Sequence, residues 1–274
     1  IILVKRYIPN DAPDSEIFVP RSPYDECVKY IAECYDKAAE LLPETVIDTE
    51  LGLPTKMSAL SYKARLLLYA ASPLVNGNSD YVGFDNHDGT PLMNTTYDPE
   101  KWEKAMEAAA EAISVAEKFN SELGRKNFML YTSADSSLPN DERGRRNYRD
   151  AFTKEHWNGL EFIEAKGDRG GCQTLQQLMG PRPIANNMSL GWKTTSVPTM
   201  EAVEMYYTKN GLPWEDDPET KDIDPYAYNA EAGTVNLHLY KEPRFYASVG
   251  YDRGTYEIDG KEITLYLRGG QLHG

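Results

Sequence analysis

Five aromatic side chains fall in polar, irregular stretches of this sequence: Trp157, Trp192, Trp214, Tyr226 and Tyr228. A flat ring in a loop offers an apolar face with a polar edge beside it. The C–H faces of sugar rings suit such platforms, and small-ligand sites combine apolar walls with a few placed polar groups. Arg182, Asn186 and Asn187 lie close in sequence to Trp192 and are candidate partners for sugar hydroxyls. The chain carries 19 Tyr and 4 Trp, so rings are available both for ligand contact and for pinning long loops onto a core. Residue type alone leaves those two uses open.

Other chemistries find less support. Adjacent acids such as Asp141-Glu142 and Asp216-Asp217 are frequent, but with 43 acidic residues such pairs arise by chance. A glycosidase needs one carboxyl with a raised pKa and a second at a fixed separation, and no spacing here singles out such a pair. The histidines, His87, His156, His238 and His273, are scattered, and none has the His-x-x-x-His or Glu-x-x-His spacing of helix-borne metal sites. Gly-x-Ser-x-Gly, Walker A and Gly-x-Gly-x-x-Gly patterns are absent. The run Gly167-Asp168-Arg169-Gly170-Gly171 reads as a turn rather than a phosphate cradle, because no helix signature follows closely. Cys27 and Cys34 lie on one predicted helix, about 10 Å apart along its axis, too far for a disulfide. With Cys172 they are expected to be free thiols. No catalytic set, metal site or cofactor is expected.

Charge narrows the partners. There are 29 basic residues against 43 acidic ones, a formal net charge of −14. A phosphate backbone or an anionic membrane surface would be repelled, so nucleic acid is disfavoured and neutral ligands stay open. No run approaches the ~20 apolar residues of a spanning helix. The longest, Leu66 to Ala71, is short enough to be packing. The opening Ile1-Ile2-Leu3-Val4 reads like mid-domain sequence, and the chain stops just after a strand-like segment. Both ends are expected to be cut.

The elements that must position these residues begin with two capped amphipathic helices within 23–73. Residues 1–20 read as an extended lead-in interrupted by Pro9, Pro13 and Pro20. The first helix starts with Ser22 as N-cap, Pro23 at the first helical position and Asp25 completing a capping box. Its apolar positions follow a 3.6-residue period from Tyr24 to Leu42, and Pro43 ends it. The second spans 55–71 with Thr55 as cap. It is apolar on two sides, and so expected to be packed on both. The loop at 74–97 is too long for a mere connector and is expected to be functional or mobile. A third helix opens at Asp98-Pro99 and carries Trp102, Ala105, Met106, Ala109, Ala112, Ile113, Ala116 and Phe119 to an end near Gly124.

Beyond it, 125–198 reads as irregular, with one strand candidate at 161–165. A short helix capped by Thr199 is expected to run to Asn210-Gly211. Residues 212–241 read as loop, 245–249 as a strand, and 256–263 as a hairpin about Asp259-Gly260. The division is a helical scaffold at 1–124 and an aromatic-rich ligand-side region at 125–274, within one structural unit.

Two stretches carry a resemblance. One is Arg21-Ser22-Pro23-Tyr24-Asp25-Glu26-Cys27-Val28-Lys29-Tyr30-Ile31, continued by Ala38 to Pro43 and Pro54 to Ala71. The other is Val197-Pro198-Thr199-Met200-Glu201-Ala202-Val203-Glu204-Met205-Tyr206-Tyr207 through Asn210-Gly211, with Glu242-Pro243-Arg244-Phe245 downstream. Together with Trp102 and its following alanines, they resemble the SusD/RagB family of outer-membrane nutrient-binding lipoproteins. Glu242 stands where the family usually has Asp, and Lys241 where it has Arg. Family members are roughly twice as long, and the lipoprotein cysteine, first helices and C-terminal part are missing here.

The resemblance implies a mainly α fold: a tetratricopeptide-like α/α superhelix with irregular loops and small β elements in the second half. It implies a lipid-anchored protein on the extracellular face of the outer membrane in Bacteroidetes-type bacteria. Such a protein binds oligosaccharide or another nutrient without hydrolysing it and passes it to a TonB-dependent, SusC-like transporter. Two rival readings stay open: a protein-interaction scaffold without a small ligand, and a carbohydrate-active hydrolase.

Overall fold

A computed structural model describes residues 1–46, 50, 52–123, 128–132, 135–153, 161–164, 178, 197–258 and 261–265. The fold is mostly helical. In chain order it contains α1 (Asp14–Ile17), α2 (Tyr24–Leu41), α3 (Lys56–Ala71), α4 (Glu100–Leu123), α5 (Asn140–Thr153), α6 (Met200–Glu204), β1 (Tyr228–Asn229), β2 (Thr234–Val235), α7 (Pro243–Ser248), β3 (Thr255–Ile258) and β4 (Lys261–Thr264). Its contacts form two units: Ile1–Met129 with Glu161–Lys166, and Leu130–Leu160 with Gly167–Gly274. Among the described residues no helix is long and apolar enough to cross a membrane.

In the first unit α3 packs against both α2 and α4. The seam is made of small side chains, with Ala39, Ala59, Leu60 and Ala112 buried together and Tyr35, Leu42 and Val115 packed around them. Alanines let helix axes approach closely, so a modest apolar area is buried at high density. Lys63 of α3 ties the three helices, its ammonium 2.6 Å from Asp36 of α2 and 3.2 Å from Glu111 of α4. Burial works against its charge, but the two carboxylates outweigh it and leave its pKa raised. Thr55 caps α3 with a reciprocal capping box to Ser58. Asp98 precedes α4 and accepts the Glu100 N–H at 3.0 Å. Cys27 is buried, Cys34 exposed, and both are free.

Several expectations are corrected here. Ser22 does not cap α2. Pro23 is itself the N-cap, with extended ψ of 144° and no side-chain cap, and Ser22 instead offers its carbonyl to the Cys27 thiol. The second apolar side of α3, Tyr62, Leu66, Tyr69 and Ala70, is covered only in part: Ala70 is buried, while Tyr62 and Tyr69 are exposed. The segment at 74–97 is tied down by named bonds. Buried Asn76 donates to the carbonyls of Ala71 and Asp98 and accepts from the Asp98 N–H. Asn86 donates to the Arg21 carbonyl at 2.8 Å. Gly77 has φ +76°, and a Cβ there would lie 2.8 Å from the Tyr97 backbone, so only glycine fits. A single helical turn, α1, interrupts the extended lead-in, with Pro13 as its N-cap.

In the second unit, α5 is a helix inside the stretch expected to be irregular. It has no buried side chain and is held locally, Glu142 receiving Arg145 at 2.8 Å and Arg146 at 2.6 Å. It packs on α7. That helix replaces the strand expected at 245–249: Pro243 sits at the start of the turn after Glu242. Residues 161–164 form no strand. The Thr199 cap is present, accepting the Ala202 N–H at 3.3 Å, but α6 ends at Glu204. The hairpin forms as β3–β4, with Tyr256 opposite Ile263. Phe245 is fully buried and central, its ring 5.6 Å from Tyr206, 5.3 Å from Tyr246 and 5.4 Å from Tyr251.

Candidate functional site

Two distant stretches of chain meet side by side in the second unit. The Lys209 N–H donates to the Tyr240 carbonyl at 2.8 Å, the Glu242 N–H donates to the Tyr207 carbonyl at 3.0 Å, and Thr208 bridges Lys241. Glu242 also accepts the Tyr207 N–H at 3.1 Å and the Arg244 guanidinium at 2.7 and 2.9 Å. The Lys241-Glu242-Pro243-Arg244 run is therefore a structural lock, and its carboxylate joins segment 207 to the start of α7.

Past this lock the chain turns through Gly211 at φ +75°. Asp217, fully buried, gathers the turn. It accepts the Thr208 hydroxyl, the Asn210 amide at 3.1 Å and the Glu219 N–H at 2.9 Å. These donors, the Thr208 hydroxyl foremost, hold its carboxyl below the usual range. The clasp sets Trp214 in place. Its indole N–H donates to the Ile223 carbonyl at 3.1 Å, and its carbonyl accepts the Thr220 hydroxyl at 2.7 Å. Tyr240 meets its ring edge-to-face at 5.9 Å. Because the N–H is engaged, this ring offers a ligand its face and no hydrogen-bond donor.

Beside this pairing lies an open cavity of about 640 Å³, lined from segments 201–207, 213–215 and 225–226 together with Leu237 and Lys241. That volume is in the range of small-ligand sites, roughly 300–1,000 Å³. Trp214, Tyr226, Tyr207 and Met205 supply apolar wall, and Glu201, Glu204 and Glu215 supply carboxylates. Tyr226 is 54% exposed, and its hydroxyl donates to Glu204. Lys241 also lines the cavity but is 2% exposed. Its ammonium donates to the Tyr206 carbonyl at 2.7 Å and the Glu204 carbonyl at 3.3 Å, and lies 5.8 Å over the Trp214 ring. Burial lowers its pKa, opposed by nearby glutamates.

Of the sequence candidates, Trp214 and Tyr226 share this cavity. Tyr228 is exposed on β1 and does not line it. Trp157, Arg182, Asn186, Asn187 and Trp192 lie outside the described residues. Sequence reasoning did not single out Glu201, Glu204, Glu215, Tyr207 or Lys241. The glutamates looked like ordinary solvated acids, and Lys241 stood out only as a departure from arginine. Among the described residues no group of His, Cys, Asp and Glu is placed to hold a metal ion.

The model of the SusD family matches residues 161–270. That segment contains Trp192, Trp214, Tyr226, Tyr228, Arg182, Asn186 and Asn187, but not Trp157. Among solved structures, the chain is similar to BT4246 at 28% identity and a TM-score of 0.77, over 100% of this chain and 50% of that one. Selenomethionine BT4246 gives 27% identity and a TM-score of 0.71, over 97% and 49%. A SusD-like protein, BF3747 from Bacteroides fragilis NCTC 9343, shares the fold at 18% identity and a TM-score of 0.61, over 97% of this chain and 42% of that one. The chain thus spans about half the length of BT4246. No curated protein matches.

Proposed function

Taking as premise that the chain is a SusD/RagB-family protein, we propose that it captures oligosaccharide or a similar nutrient at the cell surface without hydrolysing it. The observation that carries this reading is the open cavity with Trp214 and Tyr226 on its walls. Aromatic faces beside carboxylates and a tyrosine hydroxyl match a sugar ring, which is apolar on its faces and rich in hydroxyls at its edge. Trp192 and Trp157 are proposed as further platforms, Tyr228 as a flanking one, and Arg182, Asn186 and Asn187 as hydroxyl partners. Residues 1–124 act as scaffold and 125–274 as the ligand side. The parent protein is lipid-anchored on the extracellular face of the outer membrane and delivers its ligand to a SusC-like, TonB-dependent transporter.

Isothermal titration against an oligosaccharide panel tests this. Tyr226→Ala is the informative variant, since its ring is exposed and its loss leaves the core intact. We expect at least one oligosaccharide to bind, and Tyr226→Ala to weaken it about tenfold, or about 1.4 kcal/mol. A chain that binds no saccharide overturns the reading.

One observation favours a second role. Trp102, Met106 and Ile113 make an exposed apolar stripe on α4, at 40%, 65% and 60% exposure. Such a face suits a protein partner better than solvent. Co-purification with the adjacent transporter, lost in Met106→Lys, supports that role. Retention of the complex in that variant removes the stripe from it.

A further inference from the structure

The charge of the cavity carries a statement about the class of sugar. Glu201, Glu204 and Glu215 all line it and all are exposed. Among the described residues none of the three is in an ion pair with Lys or Arg. The cation that does line the cavity, Lys241, is turned away: its ammonium is spent on two backbone carbonyls and the Trp214 ring. Among the described residues of the lining, a ligand therefore meets carboxylates and aromatic rings, with no lysine or arginine head offered to an anion. Carboxylates attract an ammonium group by charge, and Trp and Tyr faces attract it through their quadrupoles. The same surroundings repel a uronate or a sulfate.

Resting on the reading of oligosaccharide capture, we propose that this cavity selects glycan units bearing a free, unacylated amine over neutral sugars, and rejects acidic ones. Glu204 and Glu215 both line the cavity with Trp214, and Tyr226 holds one oxygen of Glu204 through its hydroxyl. The second carboxylate oxygen of Glu204 keeps acceptor capacity for an ammonium.

The test is titration of the chain with a glucosamine oligosaccharide, its fully N-acetylated counterpart, a glucose oligosaccharide and an oligogalacturonate of equal length. It is run at about pH 5.5, where a free sugar amine carries its positive charge. The expected result is about tenfold tighter binding of the free amine than of the acetylated sugar, or about 1.4 kcal/mol, and no binding of the uronate. A net charge of −14 attracts any polycation, so two variants separate site from field. Glu204→Gln with Glu215→Gln should abolish the preference. Glu107→Gln with Glu117→Gln, the same charge change on exposed positions of α4, should keep it. Equal binding of all neutral and amine sugars overturns the selectivity and leaves the capture reading standing. A preference that survives Glu204→Gln with Glu215→Gln, or that falls equally with the α4 pair, overturns the assignment to this cavity. Binding of no sugar at all overturns the capture reading.

Discussion

In the first unit the buried apolar side chains are mostly alanines on three long helices, while in the second a buried Phe245, with Val203 and Leu237, is surrounded by partly buried rings on segments of a few residues. The helical unit is held by backbone regularity and close approach, so its side chains have little freedom to do anything else. The second unit has little regular structure to lean on. Its aromatic residues must cement the loops, and those near the surface leave wall facing the cavity. Trp214 shows both uses at once, packed on Tyr240 and lining the cavity. Scaffold and binding surface thus differ in what they tolerate. The helical unit resists growth of its side chains, and the second unit resists their loss.

The largest effect expected from breaking this contrast is Phe245→Ala. Truncating this fully buried ring leaves a cavity between Tyr206, Tyr246 and Tyr251, at a cost of about 3–5 kcal/mol. Chemical denaturation should show it as a large fall in midpoint at unchanged slope. A cost under about 1 kcal/mol would mean that the rings are not a packed core. Next in size, Ala59→Leu and Ala112→Leu overfill the seam of α2, α3 and α4, at about 1–3 kcal/mol each. If either variant is more stable than the parent chain, the helices are not closely packed there and the contrast fails. Third, Thr55→Ala removes the capping box of α3 for about 1 kcal/mol, whereas Thr199→Ala should cost less because α6 is a single turn. Thermal unfolding of both variants measures the difference.

The same contrast explains how much was legible from sequence. Long helices with proline, threonine and aspartate at their ends declare themselves, because periodicity sums over many residues. Ser22 misled by one position: Pro23 keeps an extended ψ and takes the cap itself. Segment 245–249 misled because a run of Phe, Tyr, Ala, Ser and Val fits a strand by composition, and five residues are too few for a period to decide. Helix α5 stayed hidden because it has no apolar stripe and is held by Glu142 with Arg145 and Arg146. Trp214 and Tyr226 were legible as candidates by type. Their glutamate neighbours were not, because the cavity is lined from separate segments, 201–207, 213–215, 225–226 and 241, and nothing local in any of them announces that they meet.

The smallest expected effect concerns acid. The Arg145 hydrogen bond, against a raising by burial and helped by Arg146, holds the Glu142 pKa at about 2 instead of its ordinary 4.5. The unfolded chain therefore takes up that proton first. The contribution of Glu142 is present above about pH 4.5 and is lost as pH falls towards 2. His238, packed against Tyr251 and Phe245, is pushed below its ordinary 6.5 by burial, so its neutral form favours the fold above that value and the benefit is lost as pH falls through the lower folded one. Both groups belong to the second unit. In the first unit the lowered acid is Asp88, which is exposed. Hydrogen exchange at decreasing pH should show the second unit losing protection before α2, α3 and α4. Glu142 meets solvent, so its share is about 1 kcal/mol or less. Glu142→Gln should reduce the pH dependence below 4.5, part of which stays with Asp217, and leave the His238 step in place. Earlier opening of the three long helices would reverse the comparison between the two units.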